Sequence, residues 1–202
     1  MSDIKITFLG TSNAIPTEHR NHPAILLNYE GNNILFDCGE GTQRQFKKAK
    51  LNPCKLTHIF LTHLHGDHIL GLPGLLETLE MSEYAKELKI YGPQGTKSHM
   101  HLLQQLYGRF GIKNTVQEMP AKIETKDWKI EASPMIHGIA TYAYSFIIKE
   151  KIKIDKAKLK KLKIPNSPLI GHLQQGKDIT INGKKIKAKN VTYTQPGKKI
   201  TI

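Results

Sequence analysis

Leu61-Thr62-His63-Leu64-His65-Gly66-Asp67-His68 sets three imidazoles and a carboxylate within six residues, directly after the apolar run Ile59-Phe60-Leu61. A short apolar run closed by a glycine turn reads as a buried strand. Residues just past a strand end sit where α/β folds place their ligand sites. His63 and His65 are two apart on an extended tail and point the same way. Asp67 and His68 open the next element and face a neighbouring point, an arrangement suited to two metal positions rather than one. Imidazole nitrogen and carboxylate oxygen are ligands of Zn²⁺, and an open coordination position lets the ion activate water. The segment therefore reads as a metal site rather than as a polar, His-rich loop.

Working outward, Ile4 to Leu9 alternates as a strand and meets the turn Gly10-Thr11-Ser12-Asn13. Ala24 to Tyr29 and Ile34 to Asp37 are strands joined by a hairpin turn over Glu30-Gly31-Asn32-Asn33. Thr42 to Lys48 reads as a short helix with Thr42 as its cap. Ile69 to Glu80 carries apolar residues at helical spacing, interrupted by Pro73 and Gly74. Leu88–Tyr91 is a strand and Thr96–Phe110 a helix. Strands follow near Thr115–Glu118, Trp128–Ala132, Tyr142–Ile148, Val191–Thr194 and Lys199–Ile202. Early hairpins followed by strand–helix alternation indicate an α/β layered sandwich.

The 202 residues allow one domain with a substantial core, with or without an appendage. No apolar run is long enough to span a membrane and no leader is apparent, so the expectation is a cytoplasmic protein without membrane attachment. Cys38 and Cys54 make no disulfide framework, and neither has ligand spacing. Thirty Lys and Arg against seventeen Asp and Glu give a net charge of +13 and a pI near 9.6. That is the electrostatic signature of a polyanion binder. Residues 149–163 hold eight lysines against Glu150 and Asp155, a local +6. A nucleic-acid surface is the stronger reading of this patch, and a merely solvated face the weaker.

These residues also spell a family. The chain resembles ribonuclease Z, the metallo-β-lactamase-superfamily endonuclease that trims the 3′ trailer of precursor tRNA. The likeness runs through Phe8-Leu9-Gly10-Thr11, Arg20-Asn21, Phe36-Asp37-Cys38-Gly39-Glu40-Gly41-Thr42-Gln43 and the histidine segment. It continues through Gly71-Leu72-Pro73-Gly74, Tyr91-Gly92-Pro93 and His137-Gly138. The His-x-His-x-Asp-His pattern marks only the wide superfamily, whereas the Asp-x-Gly-Glu-Gly-Thr-Gln run is more specific to this branch.

The resemblance implies the N-terminal half to two-thirds of a metallo-β-lactamase-like αββα sandwich, with residues 1–148 as core, 149–189 as a protruding Lys-rich arm and 190–202 as a return to the core. It implies that His63, His65 and His137 hold one zinc, while Asp67 and His68 contribute to a second. Asp67 would also take the proton from the attacking water. Read unaided, His137 follows Ser133-Pro134-Met135-Ile136 at a strand end, where a lone histidine is more often a satisfied core residue; the motif match reverses that reading. Glu40 and Gln43 are candidates for the phosphate side of the site, or for a structural cap. Lys156, Lys158, Lys160, Lys161 and Lys163 are the candidate RNA contacts, and His172 is an RNA-facing or surface residue. The arm departs from the family pattern at Ile164-Pro165-Asn166-Ser167-Pro168-Leu169.

The resemblance further implies a homodimer. A strand such as Gly197–Ile202 normally runs into Ser-Gly-Asp-Thr, whose aspartate bridges the metals. Two readings therefore stand open: the sequence is a fragment or truncated product of such an enzyme, or a further chain is the partner that supplies the remaining motifs. Two other functions compete: a superfamily phosphodiesterase acting on small esters, and a non-catalytic tRNA-binding fragment. The Lys-rich arm argues against the first, and a zinc stoichiometry of two would exclude the second.

Overall fold

A computed structural model describes residues 3–164, 167–181 and 183–202. Pro165 and Asn166, where the arm departs from the family pattern, lie outside the described residues.

The strands β1 (Lys5–Gly10), β2 (Ala24–Tyr29) and β3 (Asn32–Phe36) form an antiparallel meander. The β2–β3 turn is the two-residue loop Glu30-Gly31, both at positive φ (45° and 79°), the geometry that matches strand twist in a hairpin. β3 is followed by α1 (Thr42–Lys48), β4 (His58–Phe60), α2 (Gly66–Ile69), α3 (Leu72–Met81), β5 (Leu88–Gly92), α4 (Thr96–Tyr107) and β6 (Asn114–Glu118). β3, β4, β5 and β6 pair in parallel, so one six-stranded sheet runs in the order β1-β2-β3-β4-β5-β6. A second sheet contains β7 (Ile123–Glu124), β8 (Trp128–Met135), β9 (Thr141–Ile148) and β14 (Lys198–Thr201), in the order β14-β9-β8-β7.

Two corrections concern the helices. Gly41, at φ 72°, occupies the N-cap of α1, and Thr42 is the first helical residue, its hydroxyl donating to the Gly39 carbonyl at 2.6 Å. A φ in the left-handed region favours glycine over threonine at that position. Pro73 and Gly74 do not interrupt α3, because they lie in its first turn, where proline's missing N–H costs nothing. The break falls earlier, at Leu70-Gly71, between α2 and α3.

The chain forms two compact units. The first contains residues 1–122, 131–145 and 201–202; the second contains 123–130 and 146–200. In the first unit, Leu35, Ile59 and Ile90 turn one face of the six-stranded sheet toward Phe46 of α1, Leu72, Leu75, Leu76 and Leu79 of α3, and Met100 and Leu103 of α4. Strand alternation sends Phe36, Phe60 and Tyr91 to the opposite face. Phe60 stacks on Phe36 and Tyr91 at 5.5 and 4.8 Å and meets the edge of Tyr144 from β9 at 5.1 Å. The Tyr144 hydroxyl donates to the Leu61 carbonyl at 2.9 Å, which fixes the strand end that carries the histidines.

The second unit takes up the expected arm together with flanking residues. β10 (Lys151–Ile154) pairs with β13 (Thr192–Gln195), and β11 (Ile179–Ile181) with β12 (Lys184–Ile186). Three short helices accompany them: α5 (Lys156–Lys161), α6 (Ile170–Gln174) and α7 (Ala188–Val191). Leu159, Leu173, Ile179, Ala188 and Val191 form a small aliphatic core of their own. Asp155 caps α5, its carboxylate accepting from the Lys158 N–H at 3.0 Å.

Candidate metal centre

β4 ends at Phe60, and the chain leaves the sheet through Leu61-Thr62 into His63-Leu64-His65 before α2 begins at Gly66. β8 ends at Met135, and Gly138 at φ 71° turns the chain through His137. The Tyr142 N–H donates to the Thr62 carbonyl at 2.9 Å, tying the start of β9 to the His63 segment. One ligand atom from each of His63, His65 and His137 lies within 4.8 Å of the others. The rings meet edge to face, with centroids 4.8, 4.7 and 5.3 Å apart. His63 is buried, while His65 and His137 open to solvent.

Sequence reasoning passed over Asp37, which organises this end of the sheet. Its carboxylate accepts from the Thr62 N–H at 2.7 Å, from the Thr62 hydroxyl at 2.9–3.0 Å and from His68 Nδ1 at 2.7 Å. An ionised carboxylate only accepts, so the single hydroxyl proton of Thr62 goes to Asp37. Thr62 Oγ1 must then accept from His63 Nδ1, 2.9 Å away, which leaves the lone pair of His63 on Nε2. The same logic puts the His68 proton on Nδ1 and turns its Nε2 toward Asp67, at 3.4 Å. Two ligand tautomers thus follow from one buried carboxylate, the usual way a protein orients imidazole for a metal.

The electrostatics diverge between the two histidines. Burial lowers the pKa of His63 to about 4, with a further contribution from His68 that Asp37 opposes only in part, so the ring is neutral near pH 7. For His68, burial also disfavours charge, but the hydrogen bond to Asp37 and the charges of Asp37 and Asp67 outweigh it and raise the pKa. A cation arriving at His68 therefore competes with protonation that the two carboxylates favour.

The remaining candidates separate. Asp67 and His68 neighbour each other on α2, and the His68 ring lies 4.0 Å from that of His63. Gln43 is packed against Gly74, whose position would place a Cβ 2.6 Å from Gln43 Nε2. It therefore fills the α1–α3 contact rather than the phosphate side of the site. Glu40 is exposed, and its carbonyl accepts from the Asn21 side chain at 2.6 Å. Cys38 is fully buried and its thiol is pushed up to about 12 by burial, which makes it inert as a nucleophile. Lys156, Lys158, Lys160 and Lys161 project from α5 into solvent, and Lys163 and His172 are also exposed, all in the second unit.

Comparison with known proteins returns the same architecture. A family model described as Anti-Pycsar protein Apyc1 matches residues 4–159. Ribonuclease Z of Nanoarchaeum equitans is 43% identical over 98% of this chain, and that of Methanocaldococcus jannaschii 42% identical over 93%. The chain spans 63% and 62% of those two proteins. The crystal structure of human tRNase Z, short form, superposes with a TM-score of 0.65 at 32% identity, covering 71% of this chain and 64% of that one. The metallo-β-lactamase fold protein YhfI from Bacillus subtilis, 20% identical with a TM-score of 0.59, shares the fold. No helix among the described residues is long and apolar enough to cross a membrane. The chain has the metallo-β-lactamase fold, its curated homologues over most of its length are named ribonuclease Z, and it belongs to the family whose model is described as Anti-Pycsar protein Apyc1.

Proposed function

We propose that this chain carries the site of a zinc-dependent endoribonuclease that removes the 3′ trailer from precursor tRNA in the cytoplasm. The observation that carries the reading is the convergence of ligand atoms from His63, His65 and His137 within 4.8 Å. Three imidazole nitrogens suit zinc, which in catalytic sites keeps three protein ligands and one open position, and suit magnesium or calcium poorly. Bound zinc supplies a Lewis acid that neutralises phosphodiester charge and makes water acidic enough to attack at neutral pH.

The chain's own residues set the rest. Asp37, through Thr62 and His68, presents the nitrogens in the required tautomers. Asp67, 3.4 Å from His68, is the proton acceptor for the attacking water and a ligand, with His68, for a second zinc. That second position needs further ligands, which a partner polypeptide or more of the same protein would supply. The lysines of α5 hold the tRNA backbone by charge, without reading sequence, and so accept many tRNAs. A homodimer lets the arm of one subunit serve the site of the other.

The test compares zinc-loaded protein on precursor tRNA and on bis-p-nitrophenyl phosphate. Cleavage at the trailer junction is expected. Turnover of the small ester alone would establish a general phosphodiesterase, and tRNA binding without turnover of either would establish a non-catalytic binder. Asp67→Ala is expected to lower the rate on precursor tRNA by roughly 10²–10⁴-fold while changing tRNA affinity little. Equal losses in rate and affinity would restrict Asp67 to shaping the loop.

A further inference from the structure

The second unit contains a groove of about 400 Å³ whose lining shares only Lys163 with the candidate RNA contacts. Its apolar lining is Leu162, Ile164, Ile181 and Ile186. Ile164, Ile181 and Ile186 continue outward from the small aliphatic core, and Leu162 is 56% exposed. Lys163, Lys184 and Lys187 stand around it with Lys185. Among the described residues, Lys185 alone of these four meets an acid, Asp178 at 3.7 Å. Among the described residues, no carboxylate lines the groove. Exposed aliphatic surface beside uncompensated positive charge is the complement of an acidic, aliphatic-rich surface.

Three occupants differ in what they require. A second copy of this chain seating its own lysine-rich second unit here, where residues 149–163 carry a local +6, is repelled. A splayed nucleotide requires a stacking face, aromatic or guanidinium, and the described lining residues include neither. An acidic polypeptide segment with aliphatic side chains satisfies both the lining and the lysines. We infer that this groove docks such a segment of a partner protein.

The experiment uses the 202-residue chain and a fluorescein-labelled octapeptide of glutamates and aspartates carrying two leucines and an isoleucine. Two further probes have matched charge: the same peptide with serine at its three aliphatic positions, and a labelled oligouridylate. Fluorescence anisotropy should show tight binding of the first probe only. Lys184→Glu with Lys187→Glu, both exposed side chains, should weaken it by roughly tenfold or more, while Lys156→Glu with Lys160→Glu leaves it nearly unchanged. Circular dichroism checks that each variant keeps its fold. Equal binding of the serine peptide would reduce the effect to charge alone and overturn the proposal. Tighter binding of the oligouridylate, lost in the Lys184/Lys187 variant, would make the groove part of a nucleic-acid surface and overturn it equally. Neither outcome bears on zinc binding or trailer cleavage, so the proposal fails separately from the nuclease reading.

Discussion

The histidine end of the first unit and the lysine-rich second unit handle charge in opposite ways. Around His63 the ionisable groups are drawn in and interlocked: Asp37, Thr62, His63 and His68 share one hydrogen-bond network, and Asp37 and His63 are each less than a tenth exposed. In the second unit the lysines of α5 stand in solvent over a core of five small and aliphatic residues. The first arrangement gives up hydration to fix the direction of a few lone pairs, as a site of chemistry requires. The second keeps its charges hydrated and movable, as sequence-independent binding of a polyanion requires. The prediction is a division of labour: changes in the histidine cluster alter metal and rate, and changes in the second unit alter affinity and its salt dependence.

The largest expected effect breaks the histidine end outright. His63→Ala or His65→Ala leaves two of three imidazoles, too few to hold zinc, and hydrolysis should fall by at least about a thousandfold. Zinc content by plasma emission, measured beside tRNA affinity, checks it; wild-type zinc in both variants would refute the ligand assignment. A subtler cut is Asp37→Asn. Asparagine tolerates the left-handed backbone of Asp37, at φ 58°, but no longer accepts with both oxygens. Zinc binding by titration calorimetry should weaken by roughly 10–100-fold, the usual cost of losing a partner behind a metal ligand. An unchanged affinity would mean that the network is incidental to the site.

In the second unit, Lys156, Lys158, Lys160 and Lys161 replaced together by alanine should weaken tRNA binding and flatten its salt dependence. Each lost phosphate contact should take about 0.7–0.9 from the log–log slope. Zinc content should not change. A control set of Lys5, Lys47, Lys48 and Lys50 measures the background, and equal losses in both sets would deny α5 any special role.

The smallest effect concerns pH. His58, half-buried and stacked against Phe60 and Tyr91, is lowered to about 4 by burial and by Lys89. Its folded pKa lies below the unfolded value of about 6.5, so its stabilising contribution is present above pH 6.5 and is lost as pH falls toward 4. In chelator, His58→Phe should flatten the acid loss of stability across that window by on the order of 1 kcal/mol, read from urea melts at several pH values. Parallel curves for variant and wild type would sink the assignment.

What the sequence made legible follows from how local each signal is. His63, His65, Asp67 and His68 are nearly contiguous, and their strand-end position could be read from Ile59-Phe60-Leu61. The strands of the six-stranded sheet were legible for the same reason, each being a run with turn residues at its ends. Asp37 was quoted as part of a motif, yet its role was hidden because its carboxylate reaches Thr62 and His68, 25 and 31 residues further on. The one local hint, an aspartate before Cys-Gly, is shared with any turn. Gln43 looked like a site residue because it lies beside Glu40-Gly41, but helical geometry turns it toward Gly74. His137 lies 69 residues beyond His68 on another strand end, and only the resemblance singled it out. The lysine patch was visible as composition; the aliphatic groove near it was not, since its lining comes from two separate segments.

Gly39 and Gly71 have a consequence for inheritance. A Cβ on Gly71 would lie 2.0 Å from the Gly39 carbonyl oxygen, and one on Gly39 would lie 2.3 Å from the His22 Cβ and 2.4 Å from the Asp67 carbonyl oxygen. Two further backbone bonds, Cys38 N–H to the His68 carbonyl and Gly71 N–H to the Cys38 carbonyl, at 2.8 and 2.9 Å, seam the same strips together. Gly71 itself sits at φ −79°, a conformation open to any residue, so its requirement comes wholly from the neighbouring strip. Neither position can drift alone, because the first added methyl pushes Asp67 and His68 away from Asp37. In a lineage, the two segments must therefore descend together as one unit, while the loops around them are free to vary.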